Sequence, residues 1–349
     1  MPHAPVNDLL GIGFAPLVTA DVNGIPTFVP LMQVQFRIQE DGTLAKLKEQ
    51  PPPNVSGEWY GDPEFTSLKF EPQIAYRKLA TDVVLHGDAY PATPGGNRGQ
   101  LGIRVGPVQK LAHVFGERRL VKRLGFSVLT DPEPFETIPI TYERCFGGWD
   151  RRHENESKHS CESRNPAGVG YYDASLPADE DLAVPNIEDP QRPYNGYGDR
   201  PPPAGFGFLA GHWEPRVRYG GTYDKQWDAT RKPLLPEDFD LRFFNAASAG
   251  LVAPAHLKGD EPVVVLGASP SGRVAFNLPG MSPPICMVEV RAQNRAPVAT
   301  ELDTVIVDMR SMTLSLVWRG HLQVRGGIHE VASVEIRADA APDLDEVET

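Results

Sequence analysis

Cys145, His153, His159 and Cys161 place four groups able to bind zinc within 17 residues. Structural zinc sites gather thiolates and imidazoles into a tetrahedron and usually supply them as C-x2-4-C or H-x3-5-H pairs. Only His153 and His159 keep such a spacing; the Cys145–His153 and His159–Cys161 steps do not. The stretch RRHENESKHSCES between and around them is polar, so an exposed variable loop is favoured over a metal site. A second set, Glu237, Asp238 and Asp240 with Asp224 and Asp228 nearby in sequence, offers the carboxylates a glycosidase would use. That chemistry needs two of them about 5–9 Å apart in a cleft, which nearness along the chain does not establish. Aspartate after proline is a common helix cap, so Asp238 is expected to cap a turn beginning at Phe239. Trp149, Trp213 and Trp227 could stack on sugar rings, although such rings more often anchor loops against a sheet. No G-x-S-x-G elbow, P-loop or dinucleotide fingerprint is present.

The elements that must hold these residues are short and β-like. Val18 to Asp21 and Ile25 to Val29 flank Asn23-Gly24, a favoured hairpin dipeptide. Val34, Phe36 and Ile38 alternate with Gln33, Gln35 and Arg37, the pattern of a half-buried strand. Ser67–Phe70, Asp82–Ala89, Leu101–Val105, Val108–Val114 and Ser127–Leu129 follow. After residue 260 the same grammar returns in Pro262–Leu266, Arg273–Leu278, Ile285–Arg291, Thr304–Met309, Thr313–Trp318, Leu322–Arg325 and Val331–Arg337. Helical signals are confined to Asp224–Arg231 and Glu237–Asn245. Between Pro139 and Ala247 lie 16 of the 30 aromatic residues, and 12 of the 35 prolines, in 109 of the 349 positions. Gly and Pro at this density exclude long regular elements, whereas a disordered linker would lack the rings. The region is therefore expected to be ordered loops pinned by aromatic side chains.

The expected fold is mainly β: an antiparallel sandwich or barrel-like framework built by the N- and C-terminal parts, with a long loop-rich central region and few short helices. The divisions read as 1–138, 139–260 and 261–337, followed by an acidic tail over 338–349 expected to be disordered. The formal net charge of −12 and the lack of a basic stripe argue against nucleic acid. Arg118, Arg119, Lys122 and Arg123 read as a solvated hairpin end. Three cysteines at irregular spacing form no disulfide framework. No run of about 18 apolar residues could span a bilayer, and the first residues lack the basic and apolar regions of a signal peptide. A cytoplasmic location without membrane contact is expected.

The order of several motifs is specific. TDVVLHGDAYPA, KLAHVFGER, PFETIPITYERCFGGWD, NPAGVGY, LAVPNIEDP, PAGFGFLAGHWEPR, GTYDKQWDATRKPLLPEDFDLRFFNAA, GDEPVVVLG, FNLPG and LDTVIVDMRSMTLSLVWRG cover most of residues 14–320. In that order the chain resembles the bacterial domain-of-unknown-function family 2169, found beside type VI secretion genes. Cys145 stands where a small residue is usual, and Ala167 and Val169 vary the Asn-Pro-x-Gly-x-Gly pattern. The resemblance implies a non-catalytic chaperone or adaptor without cofactor. Its implied partners are a toxin effector, or the PAAR-like domain fused to it, and the VgrG spike onto which the cargo is loaded. The rings expected to anchor loops or meet the partner are Phe146, Trp149, Tyr171, Trp213, Tyr223, Trp227, Phe239 and Phe243. A carbohydrate-binding or carbohydrate-active β protein is the alternative, resting on the tryptophans and the carboxylates after Pro236. Gly147, Gly148, Gly168 and Gly170 are expected at positions a Cβ would hinder.

Overall fold

Asn23-Gly24 reverses the chain as its composition predicts. Gly24 takes φ 78°, and the strands on either side, Gly13–Ala20 and Pro26–Ile38, pair antiparallel from Gly13 opposite Gln33 to Ala20 opposite Pro26. The structure, a computed structural model, describes residues 5–178, 181–291 and 295–338; the expected acidic tail thus lies almost wholly outside the described residues. Pro26–Ile38 then pairs with Thr313–Arg319, which pairs with Glu301–Asp308, and both pairings are antiparallel. Asp82–His86 closes this central sheet parallel to Glu301–Asp308. The longest strands of the N- and C-terminal parts thus share one sheet.

A second sheet runs in the order Ile187–Glu188, Val108–Phe115, Arg98–Val105, Pro262–Leu266, Arg273–Asn277, antiparallel throughout. A third joins Val6–Asp8, Val331–Arg337, Ile285–Val290 and Ala296–Val298. None of these sheets closes into a barrel. One continuous hydrophobic core holds residues of all three, among them Phe36 and Leu316, Leu101 and Val265, and Val288 and Ile336. A smaller cluster covers part of the central sheet's other face, where Val29, Leu31 and Val317 meet Tyr76 and Phe244. The fold is mainly β, as the alternation predicts, and Lys225–Thr230 is the single α-helix among the described residues.

Polar side chains tie the central sheet to the loops that cross it. Asp82, fully buried, accepts from Lys78 Nζ at 2.9 Å, from Asn245 Nδ2 at 3.1 Å and from the Ala246 N–H at 3.0 Å. Its neighbour Thr81 accepts from the Leu257 N–H at 2.8 Å and donates to Leu302 O at 2.5 Å. Arg319 pairs with Asp303 and donates to Ala75 O and Gln73 Oε1, all of them buried. Arg216 holds Glu71 in the same way through two hydrogen bonds. A buried charge persists only when paired and hydrogen-bonded, which accounts for charged residues inside the apolar stretches TDVVLHG and LDTVIVDMRSMTLSLVWRG.

Candidate partner-binding surface

The central loops are built on a glycine-lined parallel contact, Phe146–Gly147 beside Val169–Gly170. Gly147 and Gly148 have φ 154° and 98°, and a Cβ on either would run into the backbone carbonyl of Asn165 or of Gly168. Asn165, fully buried, donates from Nδ2 to Tyr142 O at 2.8 Å and Phe146 O at 3.0 Å. The segment around 150–164 is held rather than loose at its start. Asp150 accepts from Arg152 Nε and Nη2 and from the Asp173 N–H, at 2.9, 2.6 and 2.7 Å. Burial pushes the Asp150 carboxyl up, but these donors outweigh it and bring its pKa down to about 2. The Arg152 guanidinium also lies over the rings of Tyr172 and Tyr197.

The eight rings expected to anchor or bind fall into three environments. Phe146 and Trp213 are buried; Trp213 packs edge-on to Tyr142 with centroids 5.4 Å apart. Tyr171, Trp227, Phe239 and Phe243 are half-buried. Phe239 and Phe243 pack against Phe244 in tilted and edge-on contacts behind the central sheet, and Arg200 lies 3.8 Å over Tyr171. Trp149 and Tyr223 are exposed. Trp227 lies on the short helix, half-buried, with its indole Nε1 donating to Leu234 O at 2.8 Å.

The metal set does not assemble, whereas Asp224, Glu237 and Asp238 come together with Trp227 in the lining of one pocket. Asp238 accepts from the Thr222 N–H and hydroxyl, and the cap of the 3-10 turn Leu241–Phe244 is Asp240, not Asp238. Asp224 caps the helix through the Trp227 N–H. Cys145 is buried, its thiol pushed up to about 12 by burial, while His153 Nδ1 accepts from the Asn155 N–H and His159 Nε2 lies 3.0 Å from His153 O. Among the described residues no group of three or more His, Cys, Asp or Glu side chains is placed to hold a metal.

Sequence reasoning placed a solvated hairpin end at the basic cluster and a strand at Ser127–Leu129, but missed that this hairpin, Arg119–Arg123/Phe126–Leu129, bares an apolar edge. Leu124 and Gly125 both have positive φ, 50° and 86°, the requirement of a two-residue type I′ turn. At its base Leu120 packs with Phe146, Leu182, Val184 and Tyr194. At its tip Leu124 is 99 % and Phe126 74 % exposed, and Val128 is exposed too. Asp181–Ala183 pairs with one side of Arg119–Arg123 and Phe126–Leu129 with the other. Phe126–Leu129 is therefore an edge strand, with one row of its N–H and C=O groups unpaired by any described strand. The basic cluster divides: Lys122 and Arg123 flank this tip, but Arg118 is buried against Glu188 and over the Phe115 ring. The signal available in sequence was RLVKRLGFSVL, two β-like runs around Leu-Gly with too many apolar residues for a solvated end.

Fold and surface together describe a mainly β protein whose loop-rich middle braces an exposed apolar sheet edge, with Trp149 and Tyr223 among the rings open to solvent. The chain belongs to the family described as an uncharacterized protein conserved in bacteria (DUF2169), whose model matches residues 23–319. No curated protein and no solved structure matches it. Among the described residues no helix is long and apolar enough to cross a membrane.

Proposed function

We propose that this protein is a non-catalytic adaptor that binds a type VI secretion effector, or its PAAR-like domain, in the cytoplasm and helps load it onto the VgrG spike. The observation that carries the reading is the edge strand Phe126–Leu129, apolar, exposed and seated on a buried aromatic base. An edge of this kind takes an extended partner segment as an added strand, main-chain bonds giving affinity and side-chain pockets specificity. The setting implied by the resemblance supports the class of partner, and the chain's membership of the family over residues 23–319 is consistent with it. The chain's acidic balance suits a partner with basic segments, mainly by speeding encounter.

Pull-down of the neighbouring effector with the full chain tests the reading. Phe126→Asp combined with Val128→Lys should weaken capture by about 2 kcal/mol or more, the loss of a central interface residue, while leaving the melting temperature nearly unchanged. Deleting the gene should reduce effector stability or delivery and leave export of the secretion tube's own components intact. Recovery of neither effector nor spike protein, with unchanged toxin delivery, would sink the adaptor reading.

A further inference from the structure

One face of the central sheet is polar although it is covered. Register aligns its strands into cross-sheet rows: Arg37, Thr313, Asp308 and His86 in one, Gln35, Ser315, Ile306 and Val84 in the next, Gln33, Val317, Thr304 and Asp82 in the third. The opposite face carries Val34, Phe36, Leu314 and Leu316 in the main core. A buried sheet face is ordinarily apolar. Here the segment around Pro51–Asn54 closes over the polar face, with Gln33 Nε2 donating to Pro51 O at 3.1 Å. A cavity of about 380 Å3 lies between them, towards the small end of the roughly 300–1,000 Å3 usual for ligand sites.

Two lining side chains leave polar atoms without a protein partner. His86 is only 4 % exposed, and its Nε2 is sealed from solvent with no hydrogen bond. Gln33, 7 % exposed, uses its N–H on Pro51 and leaves Oε1 free. Gln33 Oε1 is open to the cavity, whereas His86 Nε2 has no accessible surface and lies out of an occupant's reach. Gln35 Oε1 and one oxygen of Asp308 are also uncommitted, since Gln35 donates to Ser315 and the other Asp308 oxygen takes the Arg310 and Ser311 N–H groups. The site is thus rich in acceptors. No lysine or arginine lines it, and its second carboxylate, Glu71, is already bound by Arg216, so an anion has nothing to pair with. The rings of Phe70 and Phe208 flank His86 edge-on at 5.5 and 6.4 Å, and they add apolar surface for C–H groups.

We propose that this cavity binds a neutral, hydroxyl-rich ring compound of monosaccharide size, through Gln33, Gln35 and Asp308, with His86 beside it in the lining. The inference is independent of the adaptor reading and of Trp149, Trp213 and Trp227, which lie outside the cavity lining.

Ligand-observed saturation-transfer NMR on the full chain tests it. The probes are glucose, N-acetylglucosamine and myo-inositol, with glucosamine and glucuronate as charged counterparts, each up to about 10 mM to reach the weak end of the affinity scale. A neutral probe should show transfer and shift the His86 ring resonances. Gln35→Leu, half-buried, and Ser315→Phe, which fills the cavity, should each weaken binding about tenfold, the scale of one lost hydrogen bond to a polar site; Trp149→Ala should not. If Ser315→Phe fails to fold by circular dichroism, Gln35→Leu decides alone. Transfer to no neutral probe, transfer unaffected by Gln35→Leu, or transfer to glucosamine or glucuronate only would each overturn the proposal.

Discussion

His86 sits in a strand whose five residues are all buried, and burial holds its imidazole neutral, with a pKa down to about 4 from an ordinary 6.5. The carboxylates of Asp308 and Glu58 pull the other way, and Lys69 and Arg310 reinforce the shift. Between those two values the unfolded chain binds a proton that the folded one refuses. The contribution is therefore complete above pH 6.5 and is lost as the pH falls towards 4. A difference of this size is worth on the order of 3 kcal/mol. Urea unfolding at several pH values should show that slope, and His86→Phe should flatten it; an equal slope in both proteins would reject this origin. Other single residues separate just as sharply. Trp213→Ala should cost about 3–5 kcal/mol as a filled core site is emptied, whereas Trp149→Ala should stay within about 0.5 kcal/mol, both read from denaturant midpoints. Arg319→Met would strand the buried Asp303 carboxylate, at about 3–5 kcal/mol. A loss below about 1 kcal/mol would mean that water reaches the pair.

At the scale of elements, strand positions were legible and their partners were not. Pro262–Leu266 and Val331–Arg337 fall where β-branched residues between Gly, Pro and Asp place them, because alternation and turn chemistry act within a few residues. The pairing of Pro26–Ile38 with Thr313–Arg319 has no local cause; it follows from which apolar faces fill one core. The exposure of Phe126 and the cavity beside His86 were hidden for the same reason. A histidine inside VVLH reads as an ordinary core residue until its register neighbour Asp308 and the covering Pro51 segment are known. The glycine expectation needed only local information. Gly148→Val should lower the melting temperature and the soluble yield, because the side chain meets the Gly168 carbonyl at a positive φ. Unchanged melting would mean that the loop rearranges freely.

For the whole molecule, shared sheets make independence of its parts implausible on energetic grounds. Asp82–His86 has Glu301–Asp308 as its strand neighbour, and Arg98–Val105 has Pro262–Leu266. Residues 1–138 expressed alone should therefore show no cooperative thermal transition, whereas the full chain should unfold in one. A cooperative, dispersed-spectrum fragment would show that the N-terminal part carries a sufficient core of its own.

The pairing of Gln35 with Ser315, 280 positions apart, also sets a clock during synthesis. Pro26–Ile38 leaves the ribosome long before Thr313–Arg319 exists. At about 5–20 residues per second the wait is roughly 15–60 s. Throughout that interval Val34, Phe36 and Ile38 lack the C-terminal part of their core, and the edge that will meet Thr313–Arg319 stays open while Gly13–Ala20 and Leu44–Lys46 pair along the strand. Nascent chains in this state invite capture by holdases and by one another. The yield of the protein should therefore depend on translation speed more than its final stability suggests.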